Sequence, residues 1–302
     1  MILGIDTSNY TTSAALYDGE RVVQRKRPLT VKPGELGLRQ SDALFRHTMQ
    51  LPELLEELLA DAGGSIAAVG VSDRPRAVEG SYMPCFLAGV SVARSVAAAM
   101  NIPLRSYSHQ QGHLAAALFS AGRMELLREE FLALHVSGGT TELLLVRPEL
   151  QAEILGGTAD LNAGQLADRV GVMLGFAFPA GKALDDLARG GQLPRKLNPS
   201  VEGMTGHFSG LENQCRQMRG EGVPPPDIAR HCLESVAEIL VRIAGVARER
   251  HGGLPLVCSG GVCCSEVLRA RVREAYPEAC FAEPDYSADN AAGLAVLAGE
   301  GI

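Results

Sequence analysis

The chain has 302 residues, a formal net charge of −7 and 46% hydrophobic residues, so it can bury a large core and is not globally disordered. Its apolar runs are shorter than the roughly 18 residues of a membrane span. A net negative charge argues against dedicated non-specific binding to nucleic acid and leaves room for a local basic patch. Seven cysteines without a CxxC pair are typical of reduced thiols, and we expect a cytoplasmic protein with no membrane partner.

Short apolar runs that end in Gly, Ser or Thr turns predict strands, and stretches with helical spacing predict helices. The first run contains an Asp at position 6 and follows no basic segment, which favours a buried strand over a signal peptide. A polar stretch at 187–210 predicts a surface loop or insertion. In chain order we predict a strand at 1–8, a helix at 42–63, a strand at 67–73, a helix at 84–100, strands at 131–139 and 141–148, a helix at 229–252, a strand at 254–261 and a helix at 265–277.

This alternation of strands and helices indicates an α/β protein. A strand, polar turn and strand at 2–18 recur in the same pattern at 131–146, a weak internal duplication of a hairpin. The duplication predicts two similar lobes around a cleft. We place an N-terminal lobe at 1–107, joined by a C-terminal helix at about 289–302, and a C-terminal lobe at 108–288.

Three predicted strands end in turns rich in glycine and hydroxyl side chains. Glycine lets the backbone approach a ligand closely, and successive N–H groups can then converge on an anion. One such turn is usually an ordinary hairpin, whereas three favour a nucleotide or phosphate site. The turns are Asp6–Thr12, Ser137–Thr141 and Ser259–Gly261.

Two histidines, His109 and His113, lie at the start of a predicted helix. At positions i and i+4 both imidazoles project from one face and can share a metal ion, although two exposed histidines at a helix start would show the same spacing. Gln110 occupies the place where an HExxH metalloprotease has its general base, so a peptidase mechanism is disfavoured.

A third metal ligand must come from elsewhere in the chain, and the C-terminal segment offers Asp289. From the residues alone, Ser287 or Asp289 is slightly better interpreted as the N-cap of the following helix. Carboxylates on either side of the Phe178–Gly181 turn are either solvated or accept hydrogen bonds from ribose hydroxyls. These carboxylates belong to Asp168, Asp185 and Asp186.

Seven segments, in this order, resemble the TsaD/Gcp/Kae-type family of tRNA threonylcarbamoyladenosine transferases. They are GIDTS, HQQGH, HVSGGTTELLLV, AGQLADRVGVMLGFAFPAGKAL, HFSGL, CSGGV and SADNAAGLA. The resemblance extends along nearly the whole chain. It implies the two-lobed nucleotide-binding fold of actin, hexokinase and the heat-shock chaperone ATPases (the ASKHA fold).

The resemblance also implies roles for individual residues. The family's metal ligands match His109, His113 and Asp289. The loop that holds the phosphate and carbamoyl part of the substrate matches His135, Val136, Ser137, Gly138 and Gly139. The positions that contact the adenosine match Asp168, Gly181 and Asp185, with Ser265 where the family has an asparagine, and Ser8 joins them from the first turn.

The implied reaction transfers a threonylcarbamoyl group from threonylcarbamoyl-AMP to the exocyclic amine of the tRNA adenosine beside the anticodon. Backbone and hydroxyl donors at Ser137, Gly138 and Gly139 would stabilise the developing charge. Two histidines and one carboxylate leave open coordination positions, which suits one iron or zinc ion. We expect partner proteins, and a tRNA-facing basic surface from Arg25, Lys26 and Arg27 or from Arg39 and Arg46.

The chain departs from the family pattern mainly in its first third, as a divergent paralogue would. Asn9, Tyr10 and Thr11 replace an acidic pair, the stretches 38–47 and 74–81 differ, and Lys182 replaces a proline. An alternative function is therefore open: a protein that binds AMP or ATP and regulates or scaffolds a partner without transferase activity. A metallopeptidase is a third, less favoured alternative.

Overall fold

A computed structural model describes residues 1–8, 10–30, 38–60 and 63–302. Within these ranges the strands are β1 Ile2–Asp6, β2 Thr11–Tyr17, β3 Val22–Pro28, β4 Ala68–Arg74, β5 Leu104–Ser108, β6 Phe131–Val136, β7 Thr141–Arg147, β8 Gln151–Thr158, β9 Ser200–Glu202, β10 Thr205–His207, β11 Leu256–Ser259 and β12 Cys280–Phe281. The α-helices are α1 Gln40–Ala60, α2 Phe86–Met100, α3 His109–Ser120, α4 Ala163–Met173, α5 Gly181–Ala188, α6 Ser209–Gly220, α7 Pro225–Arg250, α8 Glu266–Ala275, α9 Pro284–Ser287 and α10 Ala292–Glu300.

The chain divides into two compact units. Unit 1 comprises Met1–Leu127, Glu149–Gln151 and Asp285–Ile302, and unit 2 comprises Arg128–Pro148 and Ala152–Pro284. This division differs from the predicted lobes mainly in residues 108–127, and also in 149–151 and 285–288, all of which fall in unit 1 and not in the second lobe. Residues 108–127 belong to unit 1 because α3 packs against α10, the helix near the end of the chain.

Unit 1 is built on a five-stranded sheet with the order β3-β2-β1-β4-β5. Successive side chains of a strand point to opposite faces, and β2 shows how this separates two packing layers. Ala14 and Leu16 pack with Leu51 and Leu54 of α1 on one face. The next residues in the alternation, Ala15 and Tyr17, pack on the other face with four residues around α10, namely Ala291, Ala292, Ala295 and Val296. The sheet is therefore covered on both sides.

Unit 2 is built on a seven-stranded sheet with the order β12-β11-β6-β7-β8-β10-β9. Its core surrounds α7, whose buried side chains include Val236, Ile239 and Leu240. They share one hydrophobic cluster with Leu132 and Leu134 of β6. The sheet is thus anchored on a 26-residue helix that is buried along most of its length.

The hairpin duplication predicted from the sequence is confirmed, and it extends to five strands. In unit 1, β1 pairs antiparallel with β2 and parallel with β4. In unit 2, β6 pairs antiparallel with β7 and parallel with β11. The strand order β3-β2-β1-β4-β5 is repeated as β8-β7-β6-β11-β12. The two units are therefore variants of one sheet plan.

The predicted helices and strands are present with ends displaced by a few residues. The structure also contains strands outside the predicted elements, β3 among them, and one predicted loop contains regular structure. The stretch 187–210, predicted as a loop, ends α5, contains the antiparallel pair β9 and β10, and begins α6. Its strands are three residues long, too short for an alternating pattern to reveal them. Among the helices in the described ranges, none is long and apolar enough to cross a membrane.

Candidate functional site

Three potential metal ligands come together in unit 1. His109 is the first residue of α3, and its helix begins at a capping box formed by Ser108 and Gln111. His113 lies one turn later, and the Nε2 atoms of the two histidines are 2.9 Å apart. The Oδ1 atom of Asp289 lies 3.5 Å from Nε2 of His109 and 3.4 Å from Nε2 of His113. In the described part of the chain, this is the one such group found.

The alternative interpretation of Asp289 or Ser287 as the N-cap of the last helix is wrong. The N-cap of α10 is Ala291, and the side chain that accepts a hydrogen bond from the first helical N–H, that of Ala292, belongs to Asn290 at 3.1 Å. The carboxylate of Asp289 is thus available to the two histidines.

A glycine allows α10 to lie close enough to α3 for this contact. A Cβ atom at Gly293 would lie 1.9 Å from the carbonyl oxygen of Gly112 and 2.7 Å from the backbone nitrogen of Ala116. Neither distance is physically possible, so the crossing of the two helices requires glycine at this position. The crossing lies four residues from Asp289 and one from His113.

The spacing and chemistry of the three ligand atoms fit a metal ion. When each ligand atom lies about 2.0–2.2 Å from an ion, neighbouring ligand atoms are separated by roughly 2.8 Å, at an angle of 90°, to roughly 3.6 Å, at the tetrahedral angle. The observed separations are 2.9, 3.4 and 3.5 Å. Two imidazoles and one carboxylate are ligands of divalent metal ions in proteins, and three ligands leave further coordination positions open.

The electrostatics of the group also favour a cation. Burial would lower the pKa of His109, but the charge of Asp6 and hydrogen bonds to Asp289 and Asp6 outweigh it and raise the pKa to about 10. Burial would raise the pKa of Asp289, and its hydrogen bonds to His109 and His113 instead hold it well below its usual range. The negative charges therefore attract a positive charge to this position.

In unit 2, the turn after β6 contains the predicted phosphate loop. The backbone N–H of Ser137 donates to the carbonyl oxygen of Thr140 at 2.8 Å, which closes a tight hairpin. The space beside Gly138 and Gly139 is open, since a Cβ at either residue would contact nothing within 4 Å. At Gly164, near the start of α4, a Cβ would lie 2.5 Å from the carbonyl oxygen of Ser137. The N-terminal end of α4 is therefore packed directly against this turn.

The predicted third turn lies at the same edge of the same sheet. β6 and β11 are parallel neighbours, so their carboxyl ends coincide, and Ser259 pairs in register with His135. The hydroxyl of Ser259 lies 3.0 Å from Nδ1 of His135. The structure thus brings His135, Val136 and the Ser137–Gly139 loop next to Ser259–Gly261, as expected for a ligand-binding sheet edge.

Two of the residues predicted to contact the adenosine, Asp168 and Asp185, accept hydrogen bonds from other residues of the same predicted set. Asp168 accepts hydrogen bonds from the backbone N–H groups of Ala180, at 2.8 Å, and Gly181, at 3.1 Å. Asp185 is buried and accepts a hydrogen bond from the hydroxyl of Ser265. Each carboxylate therefore holds a helix N-terminus in place, α5 for Asp168 and α8 for Asp185.

Ser8, predicted to contact the nucleotide, is buried in unit 1 and its hydroxyl donates to Oδ2 of Asp6 at 2.6 Å. The following residue, Asn9, lies outside the described residues. His47, which ends the altered stretch 38–47, is fully buried with its Nδ1 2.8 Å from Oγ1 of Thr12. This part of the divergent region therefore contributes to the packing of unit 1.

Three of the basic residues proposed to face tRNA, namely Lys26, Arg27 and Arg46, already have partners within unit 1. Arg27 forms ion pairs with Glu53, at 2.6 Å, and Glu57, at 2.7 Å. The ammonium group of Lys26 donates to the backbone oxygen of Asp285, and a guanidinium nitrogen of Arg46 donates to that of Thr30. The acidic partners of Arg27 reduce the positive potential of strand β3, which carries Lys26 and Arg27.

Sequence reasoning did not foresee the role of Asp6 beside the histidines. Asp6 is fully buried at the end of β1, and its Oδ2 lies 3.3 Å from Nδ1 of His109. A carboxylate that directly follows an apolar strand is itself a signal, because a buried charge must find partners. Nothing in the spacing of the residues identifies His109 as that partner.

Comparison with known proteins shows which family this fold and these motifs belong to. A family model described as TsaD, tRNA N6-adenosine threonylcarbamoyltransferase, matches residues 25–296. A curated tRNA N6-adenosine threonylcarbamoyltransferase from Chromobacterium violaceum is 32% identical over 294 residues, which cover 91% of this chain and 84% of that protein.

Solved structures with little sequence similarity share the fold. HypF from T. kodakarensis matches with a TM-score of 0.58 at 14% identity. The match covers 98% of this chain and 46% of the HypF chain. A ROK family glucokinase from Streptomyces griseus matches with a TM-score of 0.53 at 13% identity over 99% of both chains. The predicted α/β architecture of ASKHA type is confirmed.

Proposed function

Since the chain belongs to the TsaD family of tRNA N6-adenosine threonylcarbamoyltransferases, we propose that it uses threonylcarbamoyl-AMP as donor and one divalent metal ion held by His109, His113 and Asp289. The acceptor in this proposal is N6 of the tRNA adenosine beside the anticodon. The observation that carries it is the convergence of three ligand atoms, within 4.8 Å of one another, from two distant parts of the chain.

The reaction needs an activated acyl carbon, because the exocyclic amine of adenine is a poor nucleophile. A bound iron or zinc ion would supply Lewis-acid polarisation of a donor oxygen. The side chains of His109, His113 and Asp289 would hold this ion, and Gly293 keeps α10 close enough to α3 for Asp289 to lie beside the two histidines.

Unit 2 provides the groups that bind the nucleotide part of the donor. The open backbone of Gly138 and Gly139, with the hydroxyl of Ser137, can donate hydrogen bonds to phosphate and to charge that develops on the donor. Asp168 and Asp185 contribute by fixing the backbone at Ala180–Gly181 and Ser265–Val267, the segments proposed to line the adenosine. His135 and Val136 position the loop from the end of β6.

The proposal is tested by measuring threonylcarbamoyl transfer to tRNA in a bacterial extract. The bacteria have been depleted of their own transferase, and the extract supplies the expected partner proteins. Purified chain, threonylcarbamoyl-AMP and unmodified tRNA are added, and threonylcarbamoyladenosine is quantified by mass spectrometry of the nucleosides. We expect product with the wild-type chain and loss of at least about 100-fold with His113→Ala, because one ligand is removed. His251→Ala changes a histidine of unit 2 that is not among the three potential ligands, and this matched control should remain active.

The Chromobacterium violaceum relative serves as the positive control in the same extract. If the relative gives product and this chain gives none, while the chain still binds AMP or ATP, the chain is the regulatory or scaffolding alternative. If product forms equally well with His113→Ala, the metal part of the proposal is wrong and the transferase activity stands.

A further inference from the structure

The two ring nitrogens of His109 face two different carboxylates. Nε2 lies 3.5 Å from Oδ1 of Asp289, within the ligand group. Nδ1, on the other side of the ring, lies 3.3 Å from Oδ2 of Asp6. Asp6 therefore contacts the histidine at the nitrogen that a metal bound to Nε2 does not use.

Asp6 is held as a hydrogen-bond acceptor by its surroundings. It is fully buried at the end of β1, the central strand of the sheet in unit 1. The hydroxyl of Ser8 donates to Oδ2 at 2.6 Å, and the hydroxyl of Ser72, within the neighbouring strand β4, donates to Oδ1. Two hydroxyl donors on different oxygens fix the plane of the carboxylate and turn Oδ2 toward His109.

Binding of a metal ion through one ring nitrogen requires that the histidine carry a single proton, on its other nitrogen. A carboxylate can only accept, so the contact with Asp6 places that proton on Nδ1 and leaves the lone pair of Nε2 directed at the ligand group. A histidine free of such a partner would divide its population between two tautomers and several ring orientations. Carboxylate partners of this kind tune metal-binding histidines in general.

We propose that Asp6 is a positioning residue that holds His109 in the tautomer and orientation that bind the metal, and that Ser8 and Ser72 hold Asp6. This inference rests on the proposed metal site. It gives Ser8 a role different from nucleotide contact, since its hydroxyl acts on the site through Asp6. The turn after β1 thereby serves a metal ligand that lies at the start of α3.

The test measures binding of Co²⁺ alone to the full chain, by absorption titration at pH 7.5. We expect Asp6→Asn to bind Co²⁺ about 10- to 100-fold more weakly than the wild type, with an altered visible spectrum, because an amide can also donate to Nδ1 and favour the wrong tautomer. Asp42→Asn, which removes the same charge from an exposed position on α1, is the matched control and should bind like the wild type.

The outcomes separate this inference from the proposed function. If the wild type and His113→Ala bind Co²⁺ equally, the metal site itself is wrong. If His113→Ala loses binding while Asp6→Asn binds with the wild-type affinity and spectrum, the metal site stands and the role of Asp6 is overturned.

A second variant covers the case in which Asp6→Asn does not fold. Ser72→Ala keeps the carboxylate but removes one of its donors, and we expect a smaller loss of Co²⁺ affinity, about 3- to 10-fold. In the zinc-loaded wild type, NMR of labelled histidine should show the Nδ1 proton of His109 in slow exchange with water. Wild-type affinity in Ser72→Ala, or an Nδ1 proton that exchanges freely, would contradict the proposal.

Discussion

The carboxylate of Asp185 accepts a hydrogen bond from the hydroxyl of Ser265, 80 residues further along the chain. The same carboxylate accepts from the backbone N–H groups of Glu266, at 3.2 Å, and Val267, at 3.4 Å. The first turn of α8 is thus capped by a side chain from α5 in addition to its own N-cap, Ser265. These hydrogen bonds to Asp185 fix the backbone at Ser265–Val267, which is proposed to line the adenosine.

Replacing Asp185 by Ala removes the acceptor for four donors: the Ser265 hydroxyl, two backbone N–H groups of a helix N-terminus and, at 3.3 Å, a guanidinium nitrogen of Arg189. We expect the free energy of unfolding to fall by about 2–3 kcal/mol, measured by urea denaturation. Asp186→Ala is the matched control, since its half-exposed side chain only forms surface ion pairs and should cost less than about 1 kcal/mol. Equal urea midpoints for the two variants would contradict the capping role.

Asp168 should control the order of the backbone at Ala180 and Gly181. Asp168→Ala leaves both N–H groups without their acceptor, and we expect their amide hydrogen exchange to become at least about 10-fold faster, with about 1 kcal/mol lost from stability. Arg169→Ala, at the neighbouring exposed position, should leave exchange at these two amides unchanged. Unchanged exchange in Asp168→Ala would show that other contacts hold this turn.

Gly293→Ala should disrupt the ligand group without changing any ligand. The added methyl group has no room beside the backbone of Gly112, so α10 must move away from α3. We expect about 1–3 kcal/mol of destabilisation in thermal unfolding and weaker binding of Co²⁺. At Gly64 a Cβ would make an ordinary contact, 3.7 Å from the side chain of Met1, so Gly64→Ala is the control. Wild-type stability of Gly293→Ala would refute this account of the crossing.

Acid should destabilise unit 2 through His231. Burial, and to a smaller extent the charge of Arg195, lower the pKa of this histidine below its ordinary value of about 6.5. Below pH 6.5 the unfolded chain then binds more protons than the folded chain, so stability falls as the pH falls and is unaffected above pH 7. We expect a slope of up to about 1.4 kcal/mol per pH unit from this residue.

The measurement compares urea midpoints at pH 7.5, 6.0 and 5.0 for the wild type and His231→Gln. The variant should lose less stability on acidification than the wild type. His251→Gln, a change at the end of the same helix, is the control and should follow the wild type. Parallel losses in His231→Gln and the wild type would assign the acid sensitivity to other groups.

Much of the fold could be predicted from the sequence because the central strands are apolar and end in distinctive turns. The repeated hairpin was visible in the runs around Ile5 and Leu134 for this reason. The edge strand β3 was missed because its sequence, VVQRKRP, is charged and half-exposed, and only pairing with β2 makes it a strand.

The candidate site was predictable where residues are close in sequence. The i, i+4 spacing of His109 and His113 predicts a shared helix face from local geometry alone. The choice between a cap and a ligand at Asp289 depends on how α10 crosses α3, a contact between distant segments that spacing does not encode. The same holds for Asp6, whose buried charge was evident but whose partner was not.

Unit 1 is discontinuous in sequence, and this determines the order in which a ribosome completes the two units. All of unit 2 lies between His109 and Asp289 in the sequence, so its synthesis is complete before that of the segment Asp285–Ile302. Domains generally fold as they are completed. The face of the unit 1 sheet that packs against α10 is therefore covered only after all of unit 2 has been synthesised, and Asp289 can join His109 and His113 only at that stage.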